Sequence, residues 1–334
     1  MITNHQRVSR RRPCPVCSKT DYCYFSEDNN FVFCMRVSNG AVKQARNGAY
    51  IHRFGEQSFQ QAEQPVRATP KKEKPQNAKA KAEHLHAVYS EMLSLLLLEN
   101  SHRDDLTKRG LSHTAIVEGG YKSTPSLFEA AQITFELSQK FNLKGVPGFF
   151  QDCGAWRMVN VREGFFVPYR NTHGQIHGLQ IRLDQPIEGK SKYLWLSSGH
   201  YYLGTSSSSP VHFVRPELIN KSSEVLITEG ALKGNIISYY TSMPTVAAAG
   251  VYNFSKNFAA NLRKRFPALR KTILCFDTDL YDNEQVLSAL FRLGEGLQQA
   301  FFDVSVREWD NYYKGYDDFL NAQANNNFHQ TKVA

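Results

Sequence analysis

The sequence predicts an α/β chain: a C-terminal parallel sheet with flanking helices, a mixed α+β region before it, and an N-terminal four-cysteine zinc module. Three observations predict it. From residue 224 onward, short apolar runs alternate with helical stretches. Four of the six cysteines crowd into residues 14–34. Between the two lies "EQSFQQAEQPVRATPKKEKPQNAKAKA", residues 56–82, rich in Gln, Lys, Pro and Ala with one aromatic. Such a segment cannot bury enough surface to fold and reads as a flexible linker. The resulting division is 1–55, a zinc-bearing module; 56–82, linker; 83–222, a mixed region; and 223–325, the alternating sheet.

The cysteine module comes first. Cys14, Cys17, Cys23 and Cys34 are separated by two, five and ten residues. Four thiolates suit a tetrahedral structural Zn²⁺, and clustered cysteines in a reducing compartment indicate metal more often than disulfides. Without metal the segment has little core, so zinc would supply most of its folding energy. His52 is a possible substitute ligand or a plain strand residue. Tyr22, Tyr24, Phe25, Phe31, Phe33 and Tyr50 are interleaved with basic residues that include Arg10, Arg11, Arg12 and Arg36. Aromatics stack bases while basic groups track phosphates, as single-strand binding requires. The competing reading packs half of the aromatics around the metal, with Phe31 and Phe33 expected there.

The charge points the same way. Residues 1–82 carry 15 Lys and Arg against 6 Asp and Glu, whereas the remaining 252 are balanced, so the whole excess of +9 sits at the front. A basic segment on a neutral body implies a polyanionic partner, unless it is merely a solvated tail. "RVSRRRPCPVC" has no apolar stretch behind it and is no secretory signal. "MLSLLLL", residues 92–98, is far shorter than the roughly 20 residues that span a bilayer. The expectation is a cytoplasmic protein with no membrane association.

The body opens with a helix over His84–Asn100, apolar at Leu85, Val88, Met92, Leu95 and Leu96. "GFFVPYR", the turn "NTHG" and "QIHGLQIRLD" read as a hairpin, and "KYLWLSS" as a further strand. From there, "EVLIT", "TVAAAG", "KTILCF" and "FDVSVREW" are strands. The intervening helices run over Ala231–Tyr240, Lys256–Arg265 and Glu284–Ala300, with a short closing helix over Asp317–Gln323. Alternation of this kind implies βαβ units and a parallel sheet. Its strands are buried on both faces and therefore continuously apolar.

Carboxylates gather where these strands stop. Glu229 lies just past the first, Asp277 and Asp279 past the third, and Asp317 and Asp318 shortly after the fourth. Ligands of open parallel sheets bind outside the carboxyl ends of the strands. Clustered acids repel one another unless a cation compensates, and one or two Mg²⁺ ions need such oxygens, with water and phosphate completing the shell. Any single acid has a rival reading as a helix cap or first-turn charge.

The order E-G, D-x-D and a late acidic pair on this frame resembles the TOPRIM domain shared by bacterial DnaG-type primases, type IA and type II topoisomerases and some nucleases. "GQIHGLQIRLD…KSKYLWLSS" resembles the strand–Gly–Arg and Lys–Tyr–x–x–Ser stretches that precede TOPRIM in DnaG-type primases. "RGLSHTAIVEGGYKS", "FFVPYRNTHGQIHGLQIRLD" and "KGYDDFL" are similar to primase-like TOPRIM proteins of plasmids, phages and integrative elements. The resemblance implies a TOPRIM-type sheet, a primase-core subdomain over 83–222 and a zinc ribbon at the front. It departs at "DTDLYDN", at the adjacency of Asp317 and Asp318, and in an all-cysteine zinc set.

The expected function is template-directed primer synthesis in replication of a mobile element or phage. Glu229, Asp277 and Asp279 would hold Mg²⁺ or Mn²⁺, with Asp317 and Asp318 completing the catalytic carboxylates. Two ions would serve the 3′-hydroxyl and the leaving phosphate oxygens. Glu229 is either a ligand or a proton-transfer group. Arg182, Lys192 and Lys233 would meet nucleic-acid or nucleotide phosphates, the first two being otherwise surface residues of a hairpin. Arg36 and Tyr24 would contact the single-stranded DNA template. Nucleoside triphosphates are the expected substrates. No GxxxxGK[ST] phosphate loop occurs, so a separate replicative helicase is the expected partner. The alternatives are a metal-dependent nuclease on the same frame and a non-catalytic single-strand-binding module.

Overall fold

A computed structural model describes residues 6–9, 12–26, 30–45, 48–53, 77–186, 191–278 and 284–331. The chain forms two compact units, Met1–Glu73 and Lys74–Ala334. Residues 56–76 of the expected linker, together with Arg10, Arg11 and Asp279, lie outside the described residues. Among the described residues no helix is long and apolar enough to cross a membrane.

The first unit is a five-stranded antiparallel sheet. Its strands are β1 (Gln6–Arg7), β2 (Tyr24–Phe25), β3 (Phe31–Cys34), β4 (Lys43–Gln44) and β5 (Tyr50–Arg53), in the order β1-β2-β3-β5-β4. Its buried cluster is Val8, Cys14, Cys23, Phe25, Val32 and Cys34. Half of that core is cysteine, so little apolar surface besides the thiols holds the unit together.

The second unit begins in extended chain. Asn77 N–H donates to the Gly204 carbonyl at 3.0 Å and Lys79 Nζ to that of Ser207 at 2.7 Å. The last residues assigned to the linker by composition are thus anchored to the body. Helix α1 (Ala82–Ser94) buries Leu85, Val88, Tyr89, Met92 and Leu93. It ends before the expected Asn100, and α2 (Asn100–Lys108) starts afresh. The cause is competition for backbone: the Leu97 carbonyl accepts from Ser123 N–H, and Glu99 N–H donates to Ser123 Oγ. Leu96 is buried in one cluster and Leu98 packs on another, a divergence that a straight helix does not permit.

Next come α3 (His113–Gly119), β6 (Lys122–Ser123) and α4 (Leu127–Lys140), the last opened by a capping box between Ser126 and Glu129. β7 (Phe149–Asp152) and β8 (Ala155–Met158) make a small hairpin. The expected hairpin is present as β9 (Gly164–Arg170) and β10 (Ile176–Leu183), followed by β11 (Tyr193–Trp195). With β6 they form an antiparallel sheet in the order β11-β10-β9-β6.

A second sheet follows. β12 (His212–Val214) and the short α5 (Pro216–Ile219) lead into β13 (Glu224–Glu229), α6 (Ala231–Thr241), β14 (Thr245–Ala248), α7 (Phe258–Arg265), β15 (Lys271–Cys275), α8 (Glu284–Gln299), β16 (Asp303–Val306) and α9 (Tyr316–Thr331). The strand order is β12-β14-β13-β15-β16, parallel throughout except for β12 at the edge. Val225 and Ile227 face a core shared with α7 and α8, whereas Leu226 joins Ile237 of α6 and Tyr316 of α9 on the other side. Helices on both faces account for the uninterrupted apolar strands. The closing helix extends well past the expected Gln323.

A buried polar chain ties α6 to the antiparallel sheet. Arg170 N–H donates to His212 Nδ1 at 2.9 Å, His212 Nε2 lies 3.0 Å from Asn235 Oδ1, and Asn235 Nδ2 donates to Tyr121 Oη at 2.6 Å. Since Nδ1 accepts, Nε2 carries the proton and the imidazole is neutral.

Candidate active site

Strand order places the site. From β13 the chain passes to β14 on one side, then returns to β15 on the other, so the order reverses between β13 and β15. Ligands of open α/β sheets sit at the carboxyl ends of strands at this switch point. Thr228 pairs with Cys275, which brings Glu229 level with the residue before Asp277. Gly230 links the strand to α6 at φ 76° and ψ 126°, a backbone region that L side chains avoid. The glycine after the acid is therefore required by the turn, and the turn aims Glu229 off the strand end.

The structure brings together Glu229, Lys233, Asp277 and Asp317. Lys233 Nζ lies 3.4 Å from Glu229 Oε1 and also contacts Asp277 Oδ1. Lys314 Nζ is 3.8 Å from Asp277 Oδ2. Asp277 and Asp317 are buried, at 6% and 3% exposure, whereas the adjacent Asp318 is exposed. Of the late pair, Asp317 belongs to the cluster and Asp318 faces solvent. The turn before α9 sets Asp317: Thr278 N–H donates to the Lys314 carbonyl at 3.0 Å, joining that turn to the end of β15. A side chain at Gly315 would fall against Asp317 Oδ1 and 3.2 Å from Asp277 Oδ1, so glycine leaves these two carboxylates room to converge.

Burial raises the Glu229 carboxyl above its ordinary pKa, with Lys233 opposing and Asp277 adding to the rise. Burial likewise pushes Asp317 up to about 6, with Lys233 opposing and Asp318 and Asp277 adding. For Lys233 burial works downward, but Asp277, Asp317 and Glu229 outweigh it and raise its pKa. Asp317 Oδ1 is buried and makes no hydrogen bond. A buried carboxylate oxygen without a donor is costly. The donor set is all oxygen, the chemistry that Mg²⁺ or Mn²⁺ prefers. Glu229, Asp277 and Asp317 are therefore the residues of this cluster that could hold a divalent cation.

Cationic groups flank this cluster. Arg182 on β10 pairs with Asp105 at 2.8 Å, and Arg109, just past α2, pairs with the same Oδ2 at 3.3 Å. Tyr193 lies among Arg109, Arg182, Lys233 and Asp317; burial raises its phenol, the three cations pull it down and Asp317 pushes it up. Lys192, one residue earlier, is exposed. Sequence reasoning singled out Arg182, Lys192 and Lys233 but missed Arg109, Asp105 and Tyr193. Arg109 opens the quoted stretch "RGLSHTAIVEGGYKS" and Tyr193 sits inside "KYLWLSS", so both were in view without an assigned role.

In the first unit, ligand atoms of Cys14, Cys17, Cys23 and Cys34 all lie within 4.8 Å of one another. Tetrahedral Zn²⁺ with bonds of about 2.3 Å sets sulfur–sulfur edges of about 3.8 Å; Cys17 Sγ and Cys23 Sγ are 3.7 Å apart. Met35 and Val37 backbone N–H groups donate to Cys23 Sγ and Cys34 Sγ, each at 3.4 Å. Burial raises the Cys14 thiol and pushes that of Cys23 up to about 12, whereas hydrogen bonds from Lys19 N–H and the neighbouring cysteines outweigh burial at Cys17 and bring it down to about 7. The cluster suits a structural zinc ion. His52 is not in it; its Nε2 lies 2.9 Å from the Val37 carbonyl. Arg36 pairs with Asp21 at 2.9 Å and reaches Cys17 Sγ and Cys23 Sγ at 3.9 and 3.8 Å.

Phe31 and Phe33 do not pack around the metal site. Val32 and Cys34 are the inward residues of β3, and strand alternation turns Phe31 and Phe33 to the opposite face. Register aligns Arg7, Tyr24, Phe33, Ile51 and Lys43 across that face, with Phe31 opposite Arg53 beside them. Tyr24 stacks on Phe33 at 4.7 Å. The inward aromatic is Phe25, at 2% exposure.

The profile of a family described as a domain of unknown function (DUF3854) matches residues 217–327. No curated protein matches the chain. Among solved structures, the zinc-binding and RNA polymerase domains of Aquifex aeolicus primase align at 14% identity and TM-score 0.57, covering 75% of this chain and 61% of that one. The chain thus spans less than two thirds of that relative. A DnaG primase catalytic domain bound to single-stranded DNA aligns at 15% identity and TM-score 0.55, covering 74% and 77%. The RNA polymerase domain of Mycobacterium tuberculosis primase DnaG, in complex with double-stranded DNA bearing a 6-nucleotide overhang, aligns at 19% and 0.52, covering 69% and 74%. These likenesses show the fold: a mixed α/β chain like primase zinc-binding and RNA polymerase domains, with the four-cysteine cluster at its N-terminus.

Proposed function

We propose that the chain is a DnaG-type primase with a TOPRIM-type sheet, which makes short primers on single-stranded DNA from nucleoside triphosphates in replication of a plasmid, phage or integrative element. The observation that carries this reading is the convergence of Glu229, Asp277 and Asp317 at the switch point of the parallel sheet. The likeness in fold to primase catalytic domains supports it, as do the sequence blocks that resemble mobile-element primases.

Glu229, Asp277 and Asp317 would hold Mg²⁺ or Mn²⁺, with Asp279 as a further ligand. The chemistry that such an ion would supply is neutralisation of triphosphate charge and a lowered pKa for an attacking hydroxyl. The chain's own groups do the rest. Arg182 and Arg109, fixed by Asp105, hold phosphate oxygens beside the carboxylates. Asp318 and Lys192, both exposed, face substrate and solvent. On the first unit, the Tyr24–Phe33 face stacks template bases while Arg7, Lys43 and Arg53 track the backbone. Arg36 acts from the cysteine loops, with its charge shared between Asp21 and any incoming phosphate. A separate helicase supplies unwound template.

The test is incubation of the full chain with single-stranded template, labelled NTPs or dNTPs and Mg²⁺ or Mn²⁺. Short new oligonucleotides that disappear in Asp277→Ala are the expected product. Shortened template would instead identify a nuclease, and a gel shift without either product a binding module.

A further inference from the structure

Lys233 is in an unusual place. It is the third residue of α6, four after Glu229, at the positive end of a helix where an ammonium is disfavoured. Its side chain is only 27% exposed and spans from Glu229 Oε1 to Asp277 Oδ1. Asp317 is a third carboxylate whose charge acts on it, after Asp277 and ahead of Glu229. The ammonium sits between acids that the proposed function assigns to a divalent ion.

We propose that Lys233 is a resident competitor for that ion: its ammonium fills the cation position in the metal-free protein, and metal enters by displacing it. The inference rests on the metal reading of this cluster. Two positive centres cannot share one seat among the same oxygens without strong repulsion. One ammonium, with three donors, also leaves the cluster incompletely served. Asp317 Oδ1 has no partner although it converges with Asp277 Oδ1 over Gly315. A divalent ion with about six oxygen ligands reaches more of these atoms at once. Lys233 is suited to leave, because its charge rides on a flexible four-carbon stem. The phosphates of an incoming nucleotide give it a new partner when it does.

The consequence is weakened metal binding in the resting protein. The measurement is Mn²⁺ affinity of the full, zinc-loaded chain, from the paramagnetic resonance signal of free Mn²⁺, alongside melting temperature with and without Mn²⁺. Lys233→Met is expected to bind Mn²⁺ about tenfold tighter than wild type, a change of about 1.4 kcal/mol. It should melt lower than wild type without Mn²⁺ and gain more from adding it. Lys233→Gln carries the same expectation should the Met variant fail to fold. Lys233→Arg, which keeps the charge, should stay at or below wild-type affinity. Equal or weaker binding in both neutral variants overturns the inference. If wild-type binding is then still lost in Asp277→Asn, the metal site itself stands. If no variant binds Mn²⁺ in an Asp277-dependent way, both the competitor and the metal site fall.

Discussion

Arg182 Nη1 donates to Asp105 Oδ2 at 2.8 Å, tying β10 to α2 beside the carboxylate cluster. Arg109 shares the same oxygen, so one carboxylate aligns two guanidinium groups from different elements. If both face the nucleic-acid backbone, each contributes about one released counterion to binding. Arg182→Ala should weaken single-stranded DNA binding across sequences and reduce the slope of log affinity against log salt by about one. Titration by fluorescence anisotropy at several salt concentrations checks it; an unchanged slope would make the pair structural only.

Zinc removal should act on the first unit and spare the second. The cluster of Val8, Phe25 and Val32 around three buried cysteines is too small to fold alone. Cys23→Ser, or a strong chelator, is expected to release one zinc per chain and make the N-terminal region sensitive to protease. The 74–334 unit should keep its own melting transition. Metal analysis and limited proteolysis read the two effects separately, and a protease-resistant N-terminus after zinc loss would refute the dependence.

Much of this site was legible in the sequence because the physics is local. Parallel strands buried on both faces must be apolar, and the chain alternates with helices, so "VLIT" and "ILCF" announce strand ends. Glu229 and Asp277 follow directly. Asp317 over Asp318 was not legible, since adjacent acids look alike until a helix start buries one of them. Arg109 and Asp105 meet Arg182 only through a pairing of 77 residues' separation between Asp105 and Arg182, which no local pattern encodes. The α1 boundary failed for a related reason: helical periodicity continued through the leucines, but Ser123, far along the chain, claimed the backbone of residues 97–99. Phe31 and Phe33 were misplaced because composition cannot tell which face of β3 turns inward; Cys34 decides it.

Acid should loosen the second unit through buried His212 and half-buried His177. Burial lowers the His212 pKa to about 4, and His177 likewise to about 4. A base with a lowered folded pKa is fully compatible with the fold above its ordinary value of 6.5, and stability is lost as pH falls from there toward 4. For His212 the loss is about 3 kcal/mol by pH 4. Protonation of Nδ1 would also break the bond from Arg170 N–H. Melting temperature is expected to drop most steeply between pH 6.5 and 4, and more shallowly in His212→Gln, whose amide does not titrate.

Gly230→Ala should disturb the site without touching its chemistry. No atom beyond the adjacent residues stands within 4 Å of the added methyl group, so the backbone at φ 76° is what objects. The expected loss is about 1–3 kcal/mol of stability. The turn that aims Glu229 should relax, lowering metal affinity even in protein that remains folded. Chemical denaturation together with Mn²⁺ titration separates the two effects; unchanged affinity at reduced stability would show that the turn serves folding alone.

Asp317→Asn should stabilise the metal-free protein while removing function. Asp317 Oδ1 is buried with no hydrogen bond, Asp277 and Asp318 add like charge beside it, and Lys233, which also serves Glu229 and Asp277, is the chief cation to balance them. Neutralising one of the three relieves repulsion and desolvation together. Asparagine is nearly isosteric and carries no charge, so it removes the repulsion from Asp277, the carboxylate that faces it beside Gly315. A gain of about 1–3 kcal/mol is expected, since that is the usual penalty of an unsatisfied buried polar atom. Functional sites commonly hold such destabilising groups, and relieving them trades activity for stability. Thermal melts in chelator should therefore show Asp317→Asn above wild type. With saturating Mn²⁺ the order should reverse, because wild type gains binding energy that the variant has lost. A variant that melts lower than wild type in both conditions would mean that Asp317 is satisfied within the fold and has no need of a cation.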